Sequence, residues 1–243
     1  MTSANRQSGN VGNLGDILKH AALVNLAKLL SSRNPDSNLN YLETHAFQLH
    51  AVCPNPTKWR VECQQEMSKH PVYKDYAGAE EKYIAVGQYR CSSGLIVDTL
   101  PRCSMYLCES DSATRQILTQ QLAQAGVSPE LILSDAIGLQ YLCAAKNPGA
   151  FLALVDPFTL PDDVWDAFSV SCDAMRAPER DGIVLVFAWS KRGQVIWPTP
   201  PTGFVGPVMT LSRAPFFLAA YATNAILQEV GKTLKALGWA ASG

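Results

Sequence analysis

The sequence predicts an α/β fold: a mostly parallel sheet with an antiparallel C-terminal strand, helices on both faces and an insertion after the first strand. Two observations carry this. Apolar runs alternate with helical segments through most of the chain, and the apolar runs are continuous, as strands buried on both faces require. Composition agrees: 243 residues, 47% hydrophobic and 17% charged, suit one core-rich domain spanning 1–243.

The elements follow in order. DILKHAALVNLAKLL (16–30) is a helix without a breaker, entered through the Gly/Asn-rich GNVGNLG. NLNYLET (38–44) reads as the first strand. Residues 46–92 are rich in Pro, Lys, Cys and Tyr without clear periodicity, and read as an inserted cap subdomain. SMYLCES (104–110) is a strand, and SATRQILTQQLAQAG (112–126) a helix with a glycine stop. ELILSD (130–135) and FLALVDP (151–157) are strands, each followed by a helix, IGLQYLCAAK and PDDVWDAFSVSCDAM. GIVLVFAWS (182–190) is a further strand. GQVIWPTPPTGFVGP (193–207) is a Pro/Gly loop long enough to act as a lid, flanked by Trp189, Trp197 and Phe204. GPVMTLS and FFLAAYAT form a hairpin pair, and NAILQEVGKTLKALGW closes the chain as a helix.

Charge is balanced, with 20 Lys plus Arg against 21 Asp plus Glu, so no global excess draws the protein to RNA. Seven cysteines form no C-x-x-C pair and no metal spacing, which favours reduced core thiols and no metal. No apolar run has the length of a membrane span and the polar start has no signal-like core, so the expected location is cytoplasmic, with no membrane partner.

The stretch FLALVDPFTL (151–160) ends a buried strand on Asp156 and at once forbids its continuation with Pro157. The first four central strands all end on acids: Glu43, Glu109, Asp135 and Asp156. In an open parallel sheet ligands bind beyond the carboxyl ends of the strands, so four such acids in succession point to a site. Asp16, Lys19 and His20 share one face of the first helix's opening turn; polar groups on such a core-facing stripe rim a pocket or pair with one another, as Asp16 and Lys19 could.

NVGNLGDILKH (10–20), YLETHA (41–46), SSGLI (92–96), LCES (107–110), SDA (134–136) and LVDPF (154–158) together resemble the RlmJ-type 23S rRNA adenine-N6 methyltransferases, in order and approximate spacing across nearly the whole chain. The resemblance implies a Rossmann-like class I fold using S-adenosyl-L-methionine. It implies that Lys19, His20, His45, Ser93, Glu109, Asp135 and Ala136 bind the cofactor, Glu109 by its ribose hydroxyls and Asp135 by its adenine amine. Asp156, with Pro157 and Phe158, would be catalytic, Asp156 accepting hydrogen bonds from the target amine.

The departures are specific. The family's D-T-H-A-G-A-G reads ETHAFQL here, so Phe47 and Gln48 replace glycines along the methionine part of the cofactor. D-P-P-Y becomes Asp156-Pro157-Phe158-Thr159, leaving Phe158 to stand in for the stacking tyrosine. Asn10 stands where the family has histidine. With Asn10, Phe158, Trp189 and Trp197 as the substrate-binding candidates, the expected reaction is methyl transfer to an amine or hydroxyl of a small molecule or modified nucleoside. The alternatives are the family's own RNA methylation, transfer or cyclisation of the aminocarboxypropyl arm releasing methylthioadenosine, and a catalytically degenerate binding protein.

Overall fold

The computed structural model describes residues 11–37, 39–100, 102–129, 131–134, 149–156, 162–175, 180–190 and 195–241. Helix α1 (Leu14–Arg33) is buried at every position from Ile17 to Val24. A helix buried on every face over two turns has to be enclosed there, and α1 is: the main sheet lies on one side, the insertion and the C-terminal helix on the others.

Strand β1 (Leu39–Glu43) follows, fully buried. The insertion is more regular than its composition implies. It holds β2 (His50–Val52), α2 (Pro56–Lys69), α3 (Tyr73–Ile84) and β3 (Gln88–Arg90), with β2 and β3 paired as a separate antiparallel ribbon. The apolar stripe of α3 is Tyr73, Tyr76, Ala77, Glu80 and Ile84, a spacing of three and four residues. Its periodicity is hidden in the sequence because one member is charged: Glu80 is 0% exposed and paired with Arg90 at 2.5 Å. Helix α2 likewise buries Trp59, Cys63 and Glu66, the last holding Lys69 at 2.9 Å.

Beyond the insertion come α4 (Ser92–Thr99), β4 (Cys103–Cys108), α5 (Ser112–Gln124), β5 (Leu131–Leu133), β6 (Ala150–Val155), α6 (Asp162–Met175), β7 (Gly182–Trp189), β8 (Phe204–Arg213), β9 (Phe216–Thr223), α7 (Leu227–Ala236) and β10 (Ala240–Ala241). The helix expected at 137–146 lies outside the described residues. Among the described residues one sheet has the order β10-β8-β9-β7-β6-β1-β4-β5. From β5 to β7 it is parallel; β9 inserts antiparallel between β7 and β8.

The β1 neighbours fix the site. Glu43 sits level with Leu107 of β4 and Leu154 of β6. The connections leave β1 toward β4 on one side and β6 on the other, so the crevice opens at their carboxyl ends. Side chains alternate across the sheet. Tyr41, Leu107, Leu154 and Leu185 join the α1 face, while Leu42, Cys108, Val155 and Val186 join the opposite face. Two residues further along each strand, Glu43, Glu109, Asp156 and Phe187 therefore fall on the α1 face together.

Candidate functional site

The first turn of α1 brings the charges in. Asn13 caps it, accepting the Asp16 amide at 3.2 Å, and Asp16 Oδ2 accepts the Gly12 amide at 2.9 Å. Gly12 turns the chain at φ +77°. Gly15 needs its missing side chain, since a Cβ there would stand 2.5 Å from the Phe216 ring. One turn on, Lys19 Nζ lies 2.5 Å from Asp156 Oδ2 and 3.0 Å from Asp16 Oδ1, and 5.2 Å over the Phe187 ring. Burial pulls the Lys19 ammonium down, but the carboxylates of Asp156 and Asp16 outweigh it and hold it charged. Burial pushes Asp156 up, and Lys19 opposes the push.

His20 points the other way, into the insertion. Its Nδ1 lies 2.8 Å from the Tyr89 hydroxyl, which lies 2.9 Å from that of Tyr76, and the imidazole stacks on Tyr89 at 5.5 Å. Burial, with Lys19 and Arg90 adding, keeps His20 neutral. His20 Nε2 is buried without a partner among the described residues. Lys19 and His20, adjacent in sequence, thus serve different sides of one helix.

At the end of β1, Glu43 is 1% exposed. The Ser92 hydroxyl donates to its Oε1, and those of Ser93 and Tyr41 donate to its Oε2 at 2.5 and 3.0 Å. Ser92 and Ser93 open α4, so Glu43 lies against that helix's positive end. Burial pushes its carboxyl up and the hydroxyls pull it back. Gly94 lets α4 approach so closely that a Cβ would stand 2.2 Å from the Leu49 carbonyl oxygen. His45 Nδ1 lies 2.7 Å from the Thr44 hydroxyl, and burial pulls the ring down to about 4, leaving it neutral.

Past β4, Glu109 is 7% exposed, and its Oε1 accepts the Asp111 amide at 2.7 Å. Burial pushes its carboxyl up to about 7. Asp111 itself caps α5, accepting from the Thr114 amide at 2.8 Å, and Arg115 donates to the Glu109 carbonyl at 2.6 Å.

The structure therefore brings Lys19, Ser93, Glu109 and Asp156 to one edge, with Glu43 among them, and turns His20 away. Asn10, Asp135, Ala136, Pro157 and Phe158 lie outside the described residues. The two tryptophans do not meet. Trp189 shares the α1 face of β7 and is 40% exposed, whereas Trp197 packs on the opposite face. There the Pro-rich segment is tied down by the Tyr221 hydroxyl donating to the Pro198 carbonyl at 2.9 Å and Trp165 Nε1 donating to the Thr199 carbonyl at 3.0 Å. A recess of about 390 Å³ beside Trp197, lined by Ile196, Thr210 and Phe217, contains none of the carboxylates. Sequence reasoning missed Gln121, which takes the Leu49 and His50 amides on its Oε1 at 2.7 and 3.2 Å and donates to the His50 carbonyl at 3.0 Å. It also missed Phe187 and Phe216, stacked at 6.1 Å beside Lys19. A glutamine on a helix and phenylalanines in strands carry no signal without the tertiary arrangement.

Among the described residues no group of His, Cys, Asp or Glu is placed to hold a metal, and no helix is long and apolar enough to cross a membrane. No family model and no curated relative matches the chain. Among solved structures it is similar to a Legionella pneumophila protein assigned to the DUF519 family, at 14% identity, over 93% of each chain, with a TM-score of 0.60. It is also similar to an rRNA methylase from Streptococcus thermophilus, at 11% identity, over 84% of this chain and 95% of that one, with a TM-score of 0.44. The strand order, with β9 inserted antiparallel between β7 and β8, is that of the Rossmann-like class I methyltransferase fold.

Proposed function

We propose that the protein is an S-adenosyl-L-methionine-dependent methyltransferase, acting on an amine or hydroxyl of a small molecule or modified nucleoside, with Asp156 as the acceptor's partner. The observation that carries this reading is the Asp156–Lys19 contact of 2.5 Å at the crevice between β1 and β6, beside a carboxylate, Glu109, whose one described hydrogen-bond donor is a backbone amide.

The adenosine half of the cofactor fits. A buried carboxyl held up to about 7 is short of donors, and a ribose diol supplies two from one ligand. The amino-acid half would meet the Phe47 and Gln48 side chains where bare backbone is expected, and the Thr44, Ala46, Leu49 and His50 amides there are engaged within the protein. When bound, the cofactor would supply an electrophilic methyl group. The chain's own residues would do the rest. Lys19 opposes the burial that pushes the Asp156 carboxyl up, and aims it. Asp156 accepts a hydrogen bond from the acceptor N–H or O–H and stabilises the positive charge growing there. Phe187 and Phe216 exclude water from one side of the pair.

The balance of 20 basic against 21 acidic residues supports a small acceptor over folded RNA. The resemblance to RlmJ-type enzymes supports adenine in RNA as the second reading. Methyl-labelled S-adenosylmethionine, incubated with total RNA, nucleosides and small amines, tests both. Label in the small-molecule fraction supports the first, salt-sensitive labelling of RNA the second. No label in any fraction, with no heat on cofactor titration, removes both.

A further inference from the structure

The two carboxylate oxygens of Asp16, in the first turn of α1, have separate work. Oδ2 accepts the Gly12 amide at 2.9 Å and ties down the turn ahead of the helix. Oδ1 lies 3.0 Å from Lys19 Nζ. An ion pair at this i,i+3 spacing counts for little on an exposed helix surface. This one is enclosed: the Lys19 side chain is 7% exposed and that of Asp16 19%.

An ammonium on a flexible stem has three donors and no preferred direction of its own. Asp156 Oδ2 takes Lys19 Nζ at 2.5 Å and Asp16 Oδ1 takes it from the helix side. Asp16 is itself fixed, by its carboxylate on the Gly12 amide and by its own amide on Asn13 Oδ1 at 3.2 Å. The line Gly12, Asp16, Lys19, Asp156 thus runs from the turn before α1 to the crevice at the end of β6. Among the described residues Lys19 is the only cation that either carboxylate pairs with. Asp156 alone would neutralise it. With Asp16 sharing it, one negative charge is left over, and a surplus of charge so far from water is unfavourable without a partner.

We infer that Asp16 is a positioning residue for methyl transfer: it fixes Lys19 against one oxygen of Asp156 and takes part of the ammonium's charge, so that Asp156 keeps its own for the acceptor. This rests on the reading of Asp156 given above. The other titratable groups that face these three are Tyr41 and Glu43 of β1, Cys91 at the N-cap of α4, His20 of α1, and Tyr76 and Tyr89 of the insertion. Burial keeps the thiol and the three phenols protonated and His20 neutral.

The test is a carboxyl-carbon NMR titration of the full chain and three variants, beside the labelling assay above. Asp16→Asn keeps an oxygen for the Gly12 amide and removes only the charge. Asp16→Glu restores the charge, and Asn13→Ala breaks the helix cap with Asp16 intact. Asp156 is expected to titrate at lower pH in Asp16→Asn, because a like charge has gone and Lys19 is undivided. It is expected to titrate as in the parent in the other two. Turnover is expected to fall roughly 10- to 100-fold in Asp16→Asn, with the KM for S-adenosylmethionine within about twofold, and to recover in part in Asp16→Glu. An unmoved Asp156 titration or full turnover in Asp16→Asn overturns the inference. So does an equal loss of turnover in Asn13→Ala, which would make Asp16 a helix cap only. A parent that labels nothing removes the methyltransferase reading and this role with it. If Asp16→Asn fails to fold, the unmodified protein decides. Hydrogen-bond couplings from Lys19 Nζ to the carboxyl carbons of both Asp16 and Asp156 are expected, and coupling to Asp156 alone overturns the sharing.

Discussion

Glu43 and Glu109 invite comparison. Both end parallel strands, both lie on the α1 face of the sheet, and both are almost wholly buried. Glu43 accepts from three hydroxyls and a helix start presses on it. Glu109 accepts from one backbone amide of its own loop. Burial pushes both carboxyls up, and only Glu43 has the surrounding donors that pull strongly the other way. A satisfied buried acid is part of the scaffold; an undersupplied one beside a crevice is waiting for a ligand's donors. Asp156 stands between the two, satisfied on one oxygen by Lys19.

The sharpest way to break this division is at Asp156. On the proposed chemistry, Asp156→Asn removes the charge that would face the acceptor and that Lys19 pairs with. Methyl transfer is expected to fall by roughly 10²–10⁴-fold, the range for a positioned general base or charge stabiliser. Nucleoside affinity is expected to stay within about twofold, since a charge-assisted contact to the acceptor contributes nothing to the nucleoside half. A variant that transfers methyl at the parent rate removes Asp156 from the chemistry.

Next in size is Glu109→Gln. A hydrogen bond to a charged group contributes about 1.5–3 kcal/mol, so adenosine affinity is expected to weaken by roughly 10- to 150-fold by calorimetry. Unchanged affinity would mean that the ribose is held elsewhere, and that the short supply of donors at Glu109 has no ligand behind it.

How far this division was legible in the sequence depends on distance along the chain. The strands announced themselves because buried parallel strands are continuously apolar, as FLALV and GIVLVFAW are. The acids were legible because each falls where such a run stops. What each acid touches was not. Ser92 and Ser93 lie 49 and 50 residues from Glu43, across an insertion whose helices were hidden by Glu66 and Glu80 in their buried stripes. Tyr41, two residues away on the same face, was within reach of inference. Gln121 lies 71 and 72 residues from the amides it clamps, and a polar residue on an exposed-looking helix gives no hint of that. The Pro-rich segment read as a lid, yet Tyr221 and Trp165 fasten it to the far face, a contact that depends on which way two aromatics point.

The two glutamates are also expected to differ in stability. Glu43→Ala leaves the Ser92, Ser93 and Tyr41 hydroxyls buried without their acceptor, and an orphaned buried polar group costs about 1–3 kcal/mol. A loss of at least about 2 kcal/mol in urea unfolding is expected. Glu109→Gln is expected to move the other way. Its folded carboxyl titrates above the unfolded one, so at pH 8 the charge disfavours the folded state. Removing it raises Tm at pH 8, and the gain fades as pH falls from about 7 through the ordinary carboxylate range, below which both states are protonated. Equal losses from the two substitutions would erase the distinction between scaffold and site.

The mildest test changes no residue. With the Glu109 carboxyl pushed up to about 7 in the free protein, part of the population is protonated at neutral pH. A ribose diol donates, so it needs the ionised form, and binding must release a proton wherever Glu109 starts protonated. Adenosine affinity is therefore expected to rise with pH by roughly tenfold from pH 6 to pH 8, following one ionisation, and to level off above. The heat of binding at pH 7 would then differ between buffers of low and high ionisation enthalpy, by an amount that reports a fractional proton. His45, neutral down to about 4, and His20, held neutral by burial, add nothing in that window, so neither imidazole sets the profile. Glu109→Gln is expected to flatten it; a pH profile that survives the substitution would place the responsible group elsewhere on the rim.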